Sequence, residues 1–314
     1  MKVFLVLVCV VAMARAEMRE WTRESDGAKI QARLISFDAD SGKVRIAMAE
    51  GKEFELDQGV FGESDRAFLA TWAEEKAAAR AEMLKAAEKA RLEVVIPPEG
   101  GGHKVHIYKP KGYLDGDESE RSRPVAFLYS PGGNARSVLD RLKLAADELG
   151  WLLVGVDAYR NDVKGSSEEE KARVDEERVK NTRAAYDWAR ENLIFDEQKM
   201  VFGGMSGGAL WAYITAAEVT DQAAGILAFG GWLGREHERQ YSKEMAVAII
   251  NGDQDKNAIA FEERDGDYLS KRRRAEVKVF RFPGGHVLAP AEKALEAARW
   301  IHQEKGFSQE KGSE

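Results

Sequence analysis

From residue 94 onward, eight short apolar or alternating runs recur. They are VVI (94–96), VHIY (105–108), VAFLYS (125–130), WLLVGVD (151–157), MVFGGM (200–205), AGILAFG (224–230), AVAIIN (246–251) and VKVFRF (277–282). Several are apolar at nearly every position. A strand with one wet face alternates, whereas a run that is apolar throughout must be covered on both faces. Helical stretches separate most of the runs. Residues 135–149 carry Val138, Leu142, Ala145, Ala146 and Leu149 at helical spacing, and 168–192 and 290–304 are longer amphipathic stretches, the last with Leu295, Ala298 and Ile301. The first two runs are joined by PPEGGGHK, a hairpin-like link. This pattern predicts an α/β domain over 94–307: an eight-stranded, mostly parallel sheet covered by helices. At 44% hydrophobic and 32% charged residues, the chain can bury a core of that size.

The N-terminal third has a different texture. Lys2, an apolar run from Val3 to Ala14 and the small-residue site Ala14-Arg15-Ala16 describe a secretory signal peptide over residues 1–16. The run is too short to span a bilayer, which takes about 20 residues. Cleavage after Ala16 removes Cys9, the only cysteine, so the mature chain would have neither disulfide nor thiol chemistry. It also removes Lys2 and Arg15, which takes the formal net charge from −7 to −9. That balance argues against nucleic acid or an anionic membrane as a partner, and no stable membrane insertion is expected. The basic run Lys271-Arg272-Arg273-Arg274 fits the C-terminal end of a helix, where cations are favoured.

Over residues 17–72, Ile30, Ala32 and Leu34, then Val44, Ile46 and Met48, then Phe54 and Leu56 alternate with polar residues, and Gly27, Gly42 and Gly51 supply turns. Period-2 runs with close turns predict a small β-barrel or sandwich, closed by a short helix from Ser64-Asp65 through Phe68, Leu69 and Trp72. The stretch resembles the Sla-type homology module, an SH3-like barrel often found in secreted bacterial proteins. The matching residues are Arg19, Trp21, the Gly42-Lys43-Val44 and Gly51-Lys52 turns, and the closing FGESDRAFL. The resemblance implies a non-catalytic docking or spacing module of unknown ligand. Residues 73–93 are nearly all strong helix formers with few large apolar side chains, as in a solvated helical linker. Residues 308–314 read as a disordered tail.

The pentapeptide Gly204-Met205-Ser206-Gly207-Gly208 has the pattern G-x-S-x-G. With 29 Gly in the chain, chance could supply it, so context must decide. Here it follows the fifth strand and opens a helix carrying Leu210 and Ile214, and a strand-turn-helix with Ser at the apex is the context this motif demands. At this point residues 94–307 resemble the α/β-hydrolase superfamily, in particular secreted serine esterases of the dienelactone-hydrolase and feruloyl-esterase type. The resemblance implies an acid after strand seven and a histidine after strand eight, in chain order. NGDQDKN (251–257) and FPGGHVL (282–288) stand there.

A serine hydroxyl needs a base beside it. Among five histidines, only His286 sits on a Gly-rich turn just after a strand. His302 falls on the last helix, His103 and His106 precede the nucleophile, and His237 lies in HERQY, which lacks the second histidine of a zinc helix. Asp253 and Asp255 both follow strand seven. The family's G-x-x-D pattern selects Asp255, whose task would be to orient the imidazole. Asp157, after strand four, occupies a place that the family more often uses structurally. The oxyanion donors implied are the amide of Gly207 and a second from YSPGGNARS (129–137), Gly133 or Asn134, where Pro131 replaces the family's usual histidine. Tyr129, Tyr159, Arg160, Trp211 and Trp232 lie near strand ends or the nucleophile helix, as substrate-binding candidates. No metal and no organic cofactor is expected. The expected function is secreted or periplasmic serine hydrolysis of a small or carbohydrate-linked carboxylic ester. The alternatives are a peptidase or acyltransferase with the same three residues, or a non-catalytic binding protein of degenerate hydrolase fold.

Overall fold

Alternation in the N-terminal third yields four strands: β1 (Arg19–Thr22), β2 (Lys29–Asp38), β3 (Lys43–Ala47) and β4 (Glu53–Asp57). They form one antiparallel sheet in the order β1-β2-β3-β4 in a computed structural model, which describes residues 18–158, 167–218, 223–234, 241 and 244–307. Gly27, Gly42 and Gly51 take the left-handed backbone at the three hairpin turns, with φ of 72°, 70° and 85°. Trp21, Leu34, Val44, Ile46, Phe61 and Leu69 build a small core, and the Trp21 indole N–H donates to the Ala32 carbonyl at 2.9 Å. Asp65 ties the sheet to the following helix by accepting from the Arg19 guanidinium at 2.6 Å and from the Thr22 amide at 2.7 Å.

That helix, α1 (Glu63–Lys89), corrects the sequence reading. The short closing helix and the linker are one continuous helix, because no Gly or Pro interrupts residues 63–89. It stops short of residue 93, since the next strand begins at Leu92. The chain forms two compact units, and the division, between Met83 and Leu84, falls inside α1.

In the second unit the eight runs become β5 (Leu92–Val95), β6 (Val105–Tyr108), β7 (Val125–Tyr129), β8 (Leu152–Val156), β9 (Met200–Met205), β10 (Ala223–Phe229), β11 (Ala246–Gly252) and β12 (Glu276–Phe282). Their order in the sheet is β12-β11-β10-β9-β7-β8-β6-β5. The β5–β6 and β6–β8 pairs are antiparallel and the others parallel. Every residue of β7, β8, β9, β10 and β11 is buried, as apolar runs between two helical layers require.

Helices α2 (Arg136–Leu149) and α6 (Ala291–Glu304) cover one face, through Val138, Leu142, Ala298 and Ile301. The other face packs against α3 (Glu168–Asn192) and α4 (Gly207–Glu218), through Ala185, Ala189, Ala209 and Ala212. The remaining helix, α5 (Lys256–Asp267), runs into a π-helical turn over Tyr268–Arg272, so the basic run does lie at a helix C-terminal end. The proposed signal peptide, residues 308–314, Tyr159, Arg160 and His237 lie outside the described residues.

Candidate active site

Parallel strands present all their C-terminal ends along one edge of the sheet, where loops converge. Ser206 follows β9, Asp255 follows β11 and His286 follows β12, so three residues distant in sequence meet there. The Ser206 Oγ lies 2.9 Å from His286 Nε2, and His286 Nδ1 lies 2.7 Å from Asp255 Oδ2. A carboxylate can only accept, so Nδ1 carries the imidazole proton and Nε2 is left to accept from the serine. The Asp255 side chain is 1% exposed and its other oxygen accepts from the Ala258 amide at 3.1 Å, at the start of α5. The His286 ring is 36% exposed, open to an incoming substrate.

Ser206 has a φ of 52°, a left-handed backbone for a residue with a side chain. Such a conformation costs on the order of 1–3 kcal/mol and persists only where surroundings enforce it. Here the Ser206 amide donates to the Phe229 carbonyl of β10 at 2.8 Å, and its own carbonyl accepts from the Ala209 and Leu210 amides as α4 begins. The amides of Gly207 and Gly208 belong to the unspent first turn of that helix.

The two outer glycines of the motif answer to packing rather than to φ. A Cβ on Gly204 would stand 2.4 Å from the Gly208 carbonyl carbon and oxygen. A Cβ on Gly208 would stand 2.5 Å from the Tyr129 carbonyl oxygen of β7. The obstacle is the neighbouring backbone, not the serine side chain.

Asp253 has a separate task. It accepts from the Gly284 amide at 3.0 Å, while Gln254 donates to the Gly284 carbonyl at 2.9 Å and Asp253 donates to the Phe282 carbonyl at 3.0 Å. These bonds zip the acid's loop to the histidine's loop. Gly252 permits the contact, because a Cβ there would lie 2.4 Å from the carbonyl oxygens of Gly284 and Gly285. Gly230, which the sequence did not single out, stands behind the pair with a φ of 55°. A Cβ on it would meet Asp255 Oδ2 at 3.2 Å and His286 Nδ1 at 3.3 Å. Its signal was a glycine ending the sixth run and followed directly by a second, Gly231.

No family model and no curated protein matches the chain. Solved structures do match it. A thermophilic esterase from Thermogutta terrifontis, with butyrate bound, aligns with a TM-score of 0.52 at 18% identity, over 72% of this chain and 98% of that one. An S-formylglutathione hydrolase from Staphylococcus aureus aligns with a TM-score of 0.50 at 12% identity, over 68% of this chain and 95% of that one. The second unit has the α/β-hydrolase fold.

In this unit of α/β-hydrolase fold not every pocket candidate is at the site. Tyr129 is fully buried, its hydroxyl bonds Thr215, and burial pushes its phenol pKa up. Trp211 is 3% exposed and its indole donates to Thr182 Oγ1 at 3.1 Å. Both are core residues, on the last position of β7 and the inner face of α4. Trp232 differs. It is half-buried on the loop after β10, beside Gly231, whose Cβ would touch the Ser206 carbonyl at 3.1 Å. Its ring packs on Phe261 at 5.3 Å. In the loop after β7, Pro131 has no N–H to give, and the Gly133 amide is held only loosely, 3.4 Å from the Ser130 carbonyl.

Proposed function

We propose that the protein is a secreted serine hydrolase that cleaves a carboxylic ester, small or carbohydrate-linked, through an acyl-Ser206 intermediate. One observation carries the reading: the Ser206–His286–Asp255 chain at 2.9 and 2.7 Å, at the apex of a strained strand-to-helix turn. His286 Nε2 takes the Ser206 proton as Oγ attacks the ester carbonyl carbon. Asp255 holds the imidazole in the required tautomer and stabilises the imidazolium. The carbonyl oxygen gains charge and is met by the Gly207 amide and by a second amide from Gly133 or Asn134. His286 then gives the proton to the leaving alcohol, the C–O bond breaks, and the acyl group stays on Ser206. Water, deprotonated by the same His286, attacks the acyl carbon and frees the acid and the serine. No step calls for a metal or organic cofactor.

In the proposal Trp232, which follows Gly231, and Phe261, on which its ring packs, serve as one wall of the substrate cleft. The four-stranded sheet is read as an SH3-like docking module, and residues 1–16 as the signal that exports the chain. N-terminal sequencing of protein exported by a bacterial host should return Glu17 as the first residue; an unprocessed Met1 overturns the export reading.

The reaction is tested with a series of short-chain chromogenic esters, matched amides and a fluorophosphonate probe. The Thermogutta terrifontis esterase is phosphorylated by paraoxon, and a reagent of that class reports an activated serine. Wild type is expected to hydrolyse esters, to leave the amides and to take up the probe. Ser206→Ala should lose both ester turnover and labelling while keeping its melting temperature within a few degrees. Equal rates for the two proteins overturn the proposal, and faster amide turnover points to a peptidase.

A further inference from the structure

The loop after β7 reaches α2 with an unusual helix start. The N-cap is Ala135, which has no side-chain acceptor and makes no side-chain capping bond. Its amide is satisfied from elsewhere: it donates to Asp157 Oδ1 at 2.8 Å, a carboxylate just past the end of β8. Asp157 Oδ2 in turn lies 3.0 Å from His106 Nε2, on β6. The sheet's geometry explains how three distant segments meet. Gly155 and Asp157 are two residues apart, so they face the same side of the sheet, and His106 is the direct antiparallel partner of Gly155. Gly155 also makes the room. A Cβ on it would already touch Ala135, with its Cβ at 3.3 Å and its carbonyl carbon and oxygen at 3.4 Å.

His106 is 8% exposed, and its buried Nδ1 has no hydrogen-bond partner among the described residues. A buried N–H without an acceptor costs more than an idle lone pair, which puts the proton on Nε2 and makes His106 the donor to Asp157. Asp157 is also fixed from its backbone, whose amide donates to the Lys104 carbonyl at 3.0 Å. The carboxylate is therefore held from two sides and aimed at one amide. That amide ends the stretch 130–135, which carries both candidates for the second oxyanion donor.

We propose that His106 and Asp157 form a positioning pair that fixes the oxyanion loop through the Ala135 amide. The inference rests on the hydrolase reading above. It assigns no contact with substrate to either residue; they act through the loop. Oxyanion donors work only when placed ahead of the reaction at the spot where the negative charge will appear. Here the placement depends on an acceptor supplied by another strand, the Asp157 carboxylate that takes the Ala135 N–H.

The test compares Asp157→Ala and Asp157→Asn in the full-length protein, with the ester that wild type turns over fastest. Asparagine keeps an oxygen to accept from Ala135 but loses the charge and upsets the His106 tautomer, so it should cost stability while keeping the loop. Asp157→Ala is expected to lower kcat about 10- to 100-fold, somewhat less than deleting an oxyanion donor outright, with KM changed less than about twofold. Inhibition by a trifluoromethyl ketone, which presents a tetrahedral oxyanion to the site, should weaken by the same factor as kcat/KM. Asp157→Asn should keep kcat within about threefold of wild type although its melting temperature falls.

A role confined to stability predicts the opposite: kcat unchanged in the folded Asp157→Ala protein, or activity lost in step with melting temperature in both variants. Either result overturns the proposal. If Asp157→Ala does not fold, His106→Leu decides, with kcat expected to fall at least fivefold and an unchanged kcat counting against the pair. A wild type inert to every ester and to the fluorophosphonate probe defeats the hydrolase reading and this inference with it. An active wild type with an equally active Asp157→Ala defeats this inference alone.

Discussion

Asp253 and Asp255 stand two residues apart on the same loop, yet one touches His286 and the other holds the loop that carries it. Asp255→Asn should therefore cost about 10⁴-fold in kcat, because it favours the wrong imidazole tautomer. Asp253→Asn keeps an acceptor for the Gly284 amide and should cost less than about tenfold; comparable losses in steady-state assays would reverse the assignment. The glycines make a second contrast. Gly208→Ala drives a Cβ to 2.5 Å from the Tyr129 carbonyl oxygen, on backbone that cannot step aside, and should destabilise the fold by about 3 kcal/mol, the upper end for overpacking. Gly285→Ala meets nothing within 4 Å and should leave the denaturation midpoint unchanged. The serine and the histidine were legible because each sits in a short motif at a strand end. The acid was legible only by way of family resemblance, since nothing in NGDQDKN says which carboxylate faces the imidazole.

At the scale of elements, the strands of the second unit could be read because central strands of a covered sheet must be apolar throughout. What could not be read was the surroundings of single aromatics. Tyr129 and Trp211 sit at positions that fit a pocket wall equally well, and only the packing of β7 against α4 makes them core. The His106–Asp157 contact joins residues 51 apart on neighbouring strands, so no local pattern announces it. The helical linker and the closing helix are one element: the change at Trp72 from large apolar side chains to alanine and charged ones is a change of burial, with no Gly or Pro to break the helix.

Helix α6 offers a pH test. The Trp151 indole N–H donates to His302 Nδ1 at 3.0 Å, which requires a bare nitrogen. Burial, with the charge of Lys199 adding to it, lowers the His302 pKa from its ordinary 6.5. The folded state thus favours neutral His302, and the associated stability is complete above about pH 6.5 and is lost as pH falls below it. Melting temperature should drop between pH 7 and pH 5 more steeply in wild type than in His302→Phe; parallel curves would show that the bond carries no such linkage.

At the scale of the whole molecule, each unit has its own core, with Trp21, Val44 and Ile46 in the first and the two faces of the eight-stranded sheet in the second. Ile46→Ala should remove about 2–5 kcal/mol from the first unit. Calorimetry should then show one of two transitions moving to lower temperature, with kcat within about twofold of wild type. A single transition that moves together with activity would mean that the units are energetically coupled. The second unit carries its candidate base on the loop just past β12, a strand paired with β11 alone and with most of its residues exposed or half-exposed. Border strands fray before central ones do. If the proposed reaction holds, the protein should lose it before it loses its shape: on gentle warming, turnover fades while the circular dichroism of the helices and inner strands is still intact, and on cooling it returns without a refolding lag.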